Sequence, residues 1–266
     1  MRILFIGDIF AKVGRELVKR AIPALVASRD IDIVIANGEN AAGGFGITRE
    51  LSHELFGMGI AVMTSGNHVW DKREILTFID EEPRLLRPFN YPAGTPGRGS
   101  TIVTTPSGAR VGILNLMGRV FMHAIDDPFT LGRAEVERLK QHAPVVFVDF
   151  HAEATSEKIA MGWHLDGVAT AVVGTHTHVQ TADCQVLPGG TAYCTDVGMT
   201  GPHDGVIGVE RAPVINRFLT GLPAKFETAS GMPRLHGVVI TADEATGRAT
   251  AIERLSLAPA DIEDLR

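Results

Sequence analysis

The sequence predicts a mixed α/β protein with a core of two sheets covered by helices. Short apolar runs alternate with amphipathic stretches, a hairpin interrupts this alternation near the middle of the chain, and a second hairpin closes it. The β–α–β alternation predicts a parallel sheet with crossover helices. The two hairpins add antiparallel strands, and these fit a two-sheet core better than a simple doubly wound sheet.

The first third of the chain contains three strand–helix pairs. We expect strands at Arg2–Ile6, Ile33–Ala36 and Val62–Thr64, followed in turn by helices at Gly14–Ala27, Thr48–Phe56 and Arg73–Asp80. Pro23 is expected to end or kink the first helix, because proline has no backbone N–H. Thr48 is a suitable N-cap for the second helix, since its hydroxyl can accept a bond from a free N–H.

The rest of the chain resumes the alternation after a hairpin. The hairpin strands are Thr101–Thr104 and Val111–Met117; then come helix Leu131–His142, strand Val145–Phe150, helix Ser156–Trp163, strand Val168–Val173 and a closing hairpin of Leu235–Thr241 with Ala249–Leu255. Tyr91–Ser100 is rich in Pro and Gly, and we interpret it as a surface loop rather than a domain boundary. Residues 1–266 are therefore expected to form a single domain.

Composition excludes several classes of protein. The chain has 266 residues, of which 45% are hydrophobic and 21% charged, and this is unlike a disordered tail, a collagen or a coiled coil. Its net charge of −6 argues against binding duplex nucleic acid by general charge attraction. No apolar run reaches the roughly 18 residues of a membrane span. Two cysteines are too few for a disulfide framework, so a cytoplasmic location is expected. A homo-oligomer is left open.

Side chains that can bind metal ions follow five of the predicted strands, at the point where each strand ends. In chain order they are Asp8; Glu39 and Asn40; Asn67 and His68; His151; and His176 with His178. In open α/β sheets, sites form beyond the carboxyl ends of the strands. Each fragment alone is typical of a turn, a helix cap or a solvated loop. Their ordered recurrence at successive strand ends predicts one shared site.

These residue types match the needs of a two-metal centre. Such a centre needs a bridging carboxylate and further oxygen and nitrogen ligands to complete each coordination shell. Carboxylates supply negative charge, and amide oxygens add neutral ligands that limit its excess. Imidazole nitrogens favour Zn, Mn or Fe over Mg or Ca.

Four motifs carry a resemblance to a known family. They are Asn37-Gly38-Glu39-Asn40, Thr64-Ser65-Gly66-Asn67-His68, Asp149-Phe150-His151-Ala152-Glu153 and Gly174-Thr175-His176-Thr177-His178. With these, nearly the whole chain resembles the YmdB-like branch of the calcineurin-like metallophosphoesterases. The resemblance implies a four-layer αββα sandwich with two sheets back to back. It also implies a dinuclear site that hydrolyses phosphodiesters, with 2′,3′-cyclic nucleotides as the expected substrates.

The resemblance also implies a role for each site residue. One metal ion would be held by Asp8, Glu39, Asn40 and His178, and the other by Glu39, Asn67, His151 and His176, so that Glu39 bridges. The ions would be divalent or mixed-valence Fe, Mn or Zn. His68 would be the catalytic imidazole rather than a ligand.

The chain departs from the broad superfamily at three positions. Phe10 stands where a histidine is usual, Glu39 where an aspartate is usual, and Val69 where an acidic residue is usual. Asn40 would fill the first vacancy. The third departure leaves the partner that orients His68 open, with Asp71 a candidate by proximity.

The expected activity is that of a phosphodiesterase acting on a small anionic phosphodiester by attack of a metal-bridging hydroxide. Two alternatives stay open: a phosphomonoesterase or nucleotidase on the same metals, and a regulatory RNA- or protein-binding scaffold of low activity. A di-iron redox protein is less well supported, because only one Glu-x-x-His spacing, Glu50 to His53, occurs. The residues that would bind the rest of the substrate are not identified at this stage.

Overall fold

The structure is a computed structural model that describes residues 1–265. These residues form six α-helices and thirteen strands. The helices are α1 (Ala11–Arg29), α2 (Arg49–Gly57), α3 (Pro128–Lys140), α4 (Thr155–His164), α5 (Arg211–Thr220) and α6 (Pro259–Glu263). The strands are β1 (Arg2–Ile6), β2 (Asp8–Ile9), β3 (Ile33–Asn37), β4 (Val62–Thr64), β5 (Ser100–Thr104), β6 (Arg110–Met117), β7 (Val145–His151), β8 (Ala171–Thr175), β9 (Gln185–Val186), β10 (Ala192–Cys194), β11 (Met199–Pro202), β12 (Pro233–Ala242) and β13 (Ala249–Leu257).

The strands form two mixed sheets. The first has the order β2-β11-β12-β1-β3-β4, with β13 added to β12. Within it β1, β3 and β4 are parallel, whereas β12 runs antiparallel to β1 and β13. The second sheet has the order β5-β6-β7-β8-β10-β9, and its four central strands are parallel. The parallel strands of each sheet bring several carboxyl ends to one edge.

Alternation along the strands places a core between the sheets and another core outside each of them. On β1, Ile3 and Phe5 face the second sheet, where the Phe5 and Phe147 ring centroids lie 4.9 Å apart. Leu4 and Ile6 point the other way, into the core that α1 and α2 complete. Helices α3 and α4 cover the outer face of the second sheet in the same manner. The predicted four-layer sandwich is confirmed.

Three of the predicted helices differ from the structure by more than one residue at an end or in type. The helix predicted at Leu131–His142 is α3, which spans Pro128–Lys140. Helix α1 begins at Ala11 and runs through Pro23 to Arg29, so Pro23 does not end it. The predicted helix Arg73–Asp80 is only a short 3₁₀ helix, Arg73–Thr77, which has no side-chain cap at its start. The predicted N-cap Thr48 is confirmed, since its Oγ1 accepts a bond from the backbone N–H of Leu51 at 3.3 Å.

The strand predicted at Val168–Val173 lies further along the chain, at Ala171–Thr175. The N–H groups of Val168 and Ala169 both bond to the carbonyl of Leu165, which keeps these two residues in the turn after α4. Helices α5 and α6 and the short strands β2, β9, β10 and β11 were not predicted from the sequence.

Two further expectations concern the environment of the chain. None of the helices within residues 1–265 combines the length and the apolar character needed to cross a membrane. Cys184 is half-buried and Cys194 is buried, and both are free thiols.

We predict that Phe147→Ala lowers the free energy of unfolding by about 3–5 kcal/mol, because it leaves a cavity between the sheets. Phe121, which is 90% exposed, provides a matched control, and Phe121→Ala should change the stability by less than about 0.5 kcal/mol. Urea unfolding followed by circular dichroism measures both. Equal losses for the two variants would contradict this description of the core.

Candidate metal centre and active site

The core between the sheets changes from apolar to polar near the carboxyl ends of five strands. The positions that face the opposite sheet end in Asn37 on β3, Thr64 on β4, Asn115 on β6, Asp149 on β7 and Thr175 on β8, all buried. On β7, for example, the apolar residues Val145 and Phe147 are followed on the same face by Asp149 and His151. This polar layer lies directly beneath the predicted site.

Asp149 is the centre of the polar layer. Its carboxylate accepts hydrogen bonds from Asn37 Nδ2 at 3.2 Å, from Thr64 Oγ1, and from Thr175 Oγ1 at 2.7 Å. Burial raises the pKa of Asp149 to about 6, against the opposing effects of His151 and of these donors. The carboxylate is therefore mainly ionised at neutral pH, and its charge is compensated by donors from both sheets.

The Asp149 network sets the orientation of His151. His151 Nδ1 lies 2.9 Å from Thr175 Oγ1, whose own proton is donated to Asp149. The Thr175 oxygen must therefore accept from Nδ1–H of the imidazole. This leaves Nε2 as the nitrogen directed into the site, an arrangement typical of metal-binding histidines.

Four side chains converge on one point around His151 Nε2. This nitrogen lies 3.2 Å from Glu39 Oε1, 2.9 Å from Asn67 Oδ1 and 3.1 Å from His176 Nδ1. Glu39, His151 and His176 offer ligand atoms that all lie within 4.8 Å of one another. The residues come from the ends of β3, β4, β7 and β8, as the sequence pattern predicts for a shared edge.

A second group adjoins the first through Glu39. Asn40 Nδ2 lies 3.2 Å from Glu39 Oε1 and 3.2 Å from His178 Nε2. Asp8 contacts the loop that carries His176 and His178, since its Oδ2 accepts the backbone N–H of His176 at 3.2 Å. Its other oxygen, Oδ1, is buried without a hydrogen-bond partner among the described residues. Glu39 thus contacts both groups.

The protonation states suit cation binding. Burial alone would raise the pKa of Glu39, but His151 and His68 lower it to about 2, so this carboxylate is ionised. Burial lowers the pKa of His176 to about 3, assisted by the charge of His151, and burial also lowers the pKa of His178. Both imidazoles are therefore neutral and have lone pairs to offer.

The pKa values of Asp8 and His151 are both raised in this cluster of buried charges. Burial, together with the neighbouring carboxylates, raises the pKa of Asp8 well above its ordinary value. Burial lowers the pKa of His151, but the charges of Glu39, Asp8 and Asp149 outweigh it and raise the pKa. Adjacent buried carboxylates of this kind repel one another unless a cation is shared between them.

The loop that carries His176 and His178 is strained and firmly held. Both residues have positive φ angles, 103° and 65°, which are uncommon for residues other than glycine. Between them, Thr177 donates its N–H and its hydroxyl to Asp196 Oδ2 at 3.1 and 2.8 Å. Asp196 in turn forms a buried ion pair with Lys158 at 2.6 Å. This pair keeps the loop in an otherwise unfavourable conformation.

His68 lies beside the cluster and faces open space. Its backbone N–H donates to Glu39 Oε2 at 3.1 Å, and its ring Nδ1 lies 2.8 Å from Asp71 Oδ2. The structure thus provides the partner for His68 that the sequence left open. With Nδ1 bonded to a carboxylate, Nε2 is the nitrogen free to exchange a proton with a bound molecule.

The donor set fits divalent metal ions. Seven candidate ligands supply carboxylate, amide and imidazole donors, and they come together at the edge where the two sheets meet. The orphaned Oδ1 of Asp8 is a buried acceptor, and such atoms in native proteins usually have a partner. A cation in this position would satisfy it.

A cavity of about 540 Å³ opens above the cluster. Its floor includes Glu39, Asn40, His68, His176 and His178, and an apolar wall is contributed by side chains between residues 206 and 226. This wall adjoins the floor, since His178 Nδ1 lies 2.9 Å from the carbonyl oxygen of Ile207. The volume is within the range of about 300–1,000 Å³ that is common for small-molecule sites. The sequence did not predict this wall, because tertiary packing assembles it from residues far apart in the chain, such as Phe10 and Phe226.

The polar layer beneath the site was also missed. Asp149 falls within a motif that carried the resemblance, but nothing in the sequence indicated that it orients His151 through Thr175. Asp196 follows the short strand β10, for which there was no prediction. An acidic residue inside an apolar strand, as Asp149 is, was the one signal that could have indicated a buried network.

Comparison with known proteins agrees with this geometry. The family model of YmdB-like proteins matches residues 4–255. The 2′,3′-cyclic-nucleotide 2′-phosphodiesterase of Bacillus subtilis (strain 168) is 51% identical over 255 residues, which are 96% of each chain. A crystal structure of a hypothetical protein from Thermus thermophilus aligns with a TM-score of 0.90 and 43% identity, covering 97% of this chain and 99% of the other. A structure of a novel phosphatase from Mycoplasma pneumoniae gives a TM-score of 0.91 and 32% identity, covering 100% of this chain and 99% of that one. The chain therefore belongs to the YmdB-like family.

Proposed function

We propose that this protein is a metal-dependent phosphodiesterase that hydrolyses 2′,3′-cyclic nucleotides. The observation that carries the proposal is the convergence of carboxylate, amide and imidazole donors around Glu39, next to an imidazole that faces the cavity. The Bacillus subtilis relative, which is 51% identical over nearly its whole length, is named a 2′,3′-cyclic-nucleotide 2′-phosphodiesterase, and this supports the same substrate class.

The proposed ligand sets follow the two groups of side chains. Asp8, Asn40 and His178 would hold one ion, and Asn67, His151 and His176 would hold the other. Glu39 would bridge the two, and its contacts with both groups support this role. The imidazole-rich donor set favours Fe, Mn or Zn.

When bound, two such ions supply Lewis-acid charge that activates the attacking water and neutralises the phosphoryl oxygens. The chain's own contribution is to hold the donors in place before substrate arrives. The Asp149–Thr175 pair fixes the His151 ring, and the Asp196–Lys158 pair fixes the loop of His176 and His178. Such preorganisation avoids rearrangement during the reaction.

We propose that His68 donates a proton to the leaving oxygen. Hydrolysis breaks one bond between phosphorus and a ribose oxygen and so opens the cyclic phosphate. The departing ribose oxygen carries negative charge, and Nε2–H of His68 can donate a proton to it. Asp71, bonded to Nδ1 at 2.8 Å, orients the ring. The proton given to the leaving group is recovered from the attacking water or from solvent.

Other predictions rest on the sequence. The side chains of the proposed site come from both sheets, which supports the expectation that residues 1–266 act as a single domain. The cytoplasmic location and a homo-oligomeric state stay predictions.

The central test measures hydrolysis of three substrates by the metal-loaded protein. The substrates are a 2′,3′-cyclic nucleotide, a nucleoside monophosphate and a chromogenic phosphodiester. We expect the diesters to be hydrolysed and a chelator to abolish the reaction. Hydrolysis of the monoester alone would indicate a nucleotidase instead. Bound metal without turnover of any of the three would favour the scaffold function.

We predict that Asp149→Asn weakens metal affinity about 10- to 100-fold, because the orientation of His151 is lost. Elemental analysis after dialysis against graded chelator measures this, and circular dichroism verifies folding. The exposed Asp126 supplies the control, since Asp126→Asn should leave metal affinity unchanged. A folded Asp149→Asn protein with unaltered affinity would refute the positioning role.

We predict that His68→Ala lowers kcat about 10²- to 10⁴-fold while metal content stays at the level of the unmodified protein. The control is His53→Ala on α2, whose side chain is exposed and should not affect turnover. If metal is lost in parallel with activity, His68 serves to hold the centre rather than to transfer a proton.

A further inference from the structure

The cavity wall contributed by residues between 206 and 226 has a composition that phosphate chemistry does not require. It includes Val206, Ile207, Val209, Val214 and Phe226, which are apolar. A phosphodiester anion is bound by charges and hydrogen-bond donors, and the proposed metal ligands and His68 already face that part of the substrate. An apolar wall next to a polar floor indicates that the ligand has an apolar, planar or alkyl portion.

The side chains of this wall pack in a small hydrophobic core of their own. Phe10, Met199, Val209 and Val214 are buried together, and Phe226 packs against them. Phe226 therefore presents its ring from a fixed position rather than from a mobile chain. Phe45, which is 38% exposed, also lines the cavity, with its ring centroid 5.0 Å from that of His68.

Arg217 on α5 completes this surface. Its guanidinium carbon lies over the Phe226 ring, 5.4 Å from the centroid. Within residues 1–265, no carboxylate oxygen lies within ion-pair distance of Arg217, whereas Arg211 on the same helix pairs with Asp204 at 3.2 Å. A guanidinium that lines a cavity and rests on an aromatic ring is suited to stack on a further planar group.

We propose that Arg217 and Phe226 form the nucleobase subsite of this enzyme, in the cavity that Phe45 also lines. The inference rests on the proposed phosphodiesterase function and adds where the base is recognised. Stacking is tolerant of base identity because every base has a π-face. The subsite therefore selects nucleotides over diesters without a base, rather than one nucleotide over another.

The test compares adenosine 2′,3′-cyclic phosphate with methyl riboside 2,3-cyclic phosphate, which keeps the sugar and the cyclic diester but has no base. For the metal-loaded protein, kcat/KM should be about 5- to 150-fold higher for the adenosine compound, as expected for one stacked base. Arg217→Gln and Phe226→Leu should reduce this ratio at least severalfold, mainly through KM. The controls Arg211→Gln and Phe121→Leu should preserve it.

Binding gives a second readout that does not depend on turnover. Calorimetry of the metal-loaded protein should show adenosine 3′-monophosphate binding more tightly than inorganic phosphate, and the two cavity variants should narrow this difference. Elemental analysis verifies that the variants hold as much metal as the unmodified protein.

Three results would overturn the subsite. The first is equal kcat/KM for the two cyclic diesters. The second is an equal loss for both diesters in Arg217→Gln and Phe226→Leu, which would place these side chains against the phosphate or the sugar. The third is adenosine 3′-monophosphate binding no more tightly than phosphate. Failure of the proposed function gives a different result, because neither cyclic diester is then hydrolysed. In that case the binding of adenosine 3′-monophosphate and of phosphate tests the subsite alone.

Discussion

A buried carboxylate between the two sheets is the interaction on which the site depends. Asp149 accepts hydrogen bonds from Asn37 and Thr64 of one sheet and from Thr175 of the other. A charge removed from water is tolerated only when such donors surround it. The stacking of the sheets therefore compensates Asp149, and Asp149 in turn fixes the ring of His151. A shift of one sheet against the other would disturb both the buried charge and the candidate metal ligand.

The loop after β8 is also held in place by a buried carboxylate, that of Asp196. His176 and His178 adopt positive φ angles, and each such conformation costs on the order of 1–3 kcal/mol. The buried pair of Lys158 and Asp196 offsets this cost through the bonds of Asp196 to Thr177. The two imidazoles are thereby directed into the site from alternate positions of one loop. Local strain and its compensation lie within a few residues of the candidate centre.

The sequence predicted the parts of the fold and site that depend on local pattern. Strand ends followed by Glu39, Asn67 or His151 are visible in the chain because parallel strands place their carboxyl ends at one edge. The function of Asp149 was not visible, because its partners are 26 to 112 positions away and on different strands. The cavity wall was missed for a related reason: Phe10 and Phe226 are brought together by tertiary packing, and no local pattern in the sequence places them side by side. Predictions from the chain alone therefore reached the candidate ligands but not what orients them or the apolar wall that adjoins them.

The electrostatics of the site explain why polar floor and apolar wall must act together. Glu39 is ionised, so this carboxylate at the floor of the cavity repels an anionic substrate. At a separation of about 4 Å, even an effective dielectric constant near 20 gives about 4 kcal/mol of repulsion between two unit charges. Bound divalent cations would reverse the sign of this floor, but they would attract any small phosphate ester equally well. Discrimination among such anions must then come from groups that do not touch phosphorus. Arg217 and Phe226 on the cavity wall can provide this discrimination, because a base held there contributes to binding only in ligands that carry a base.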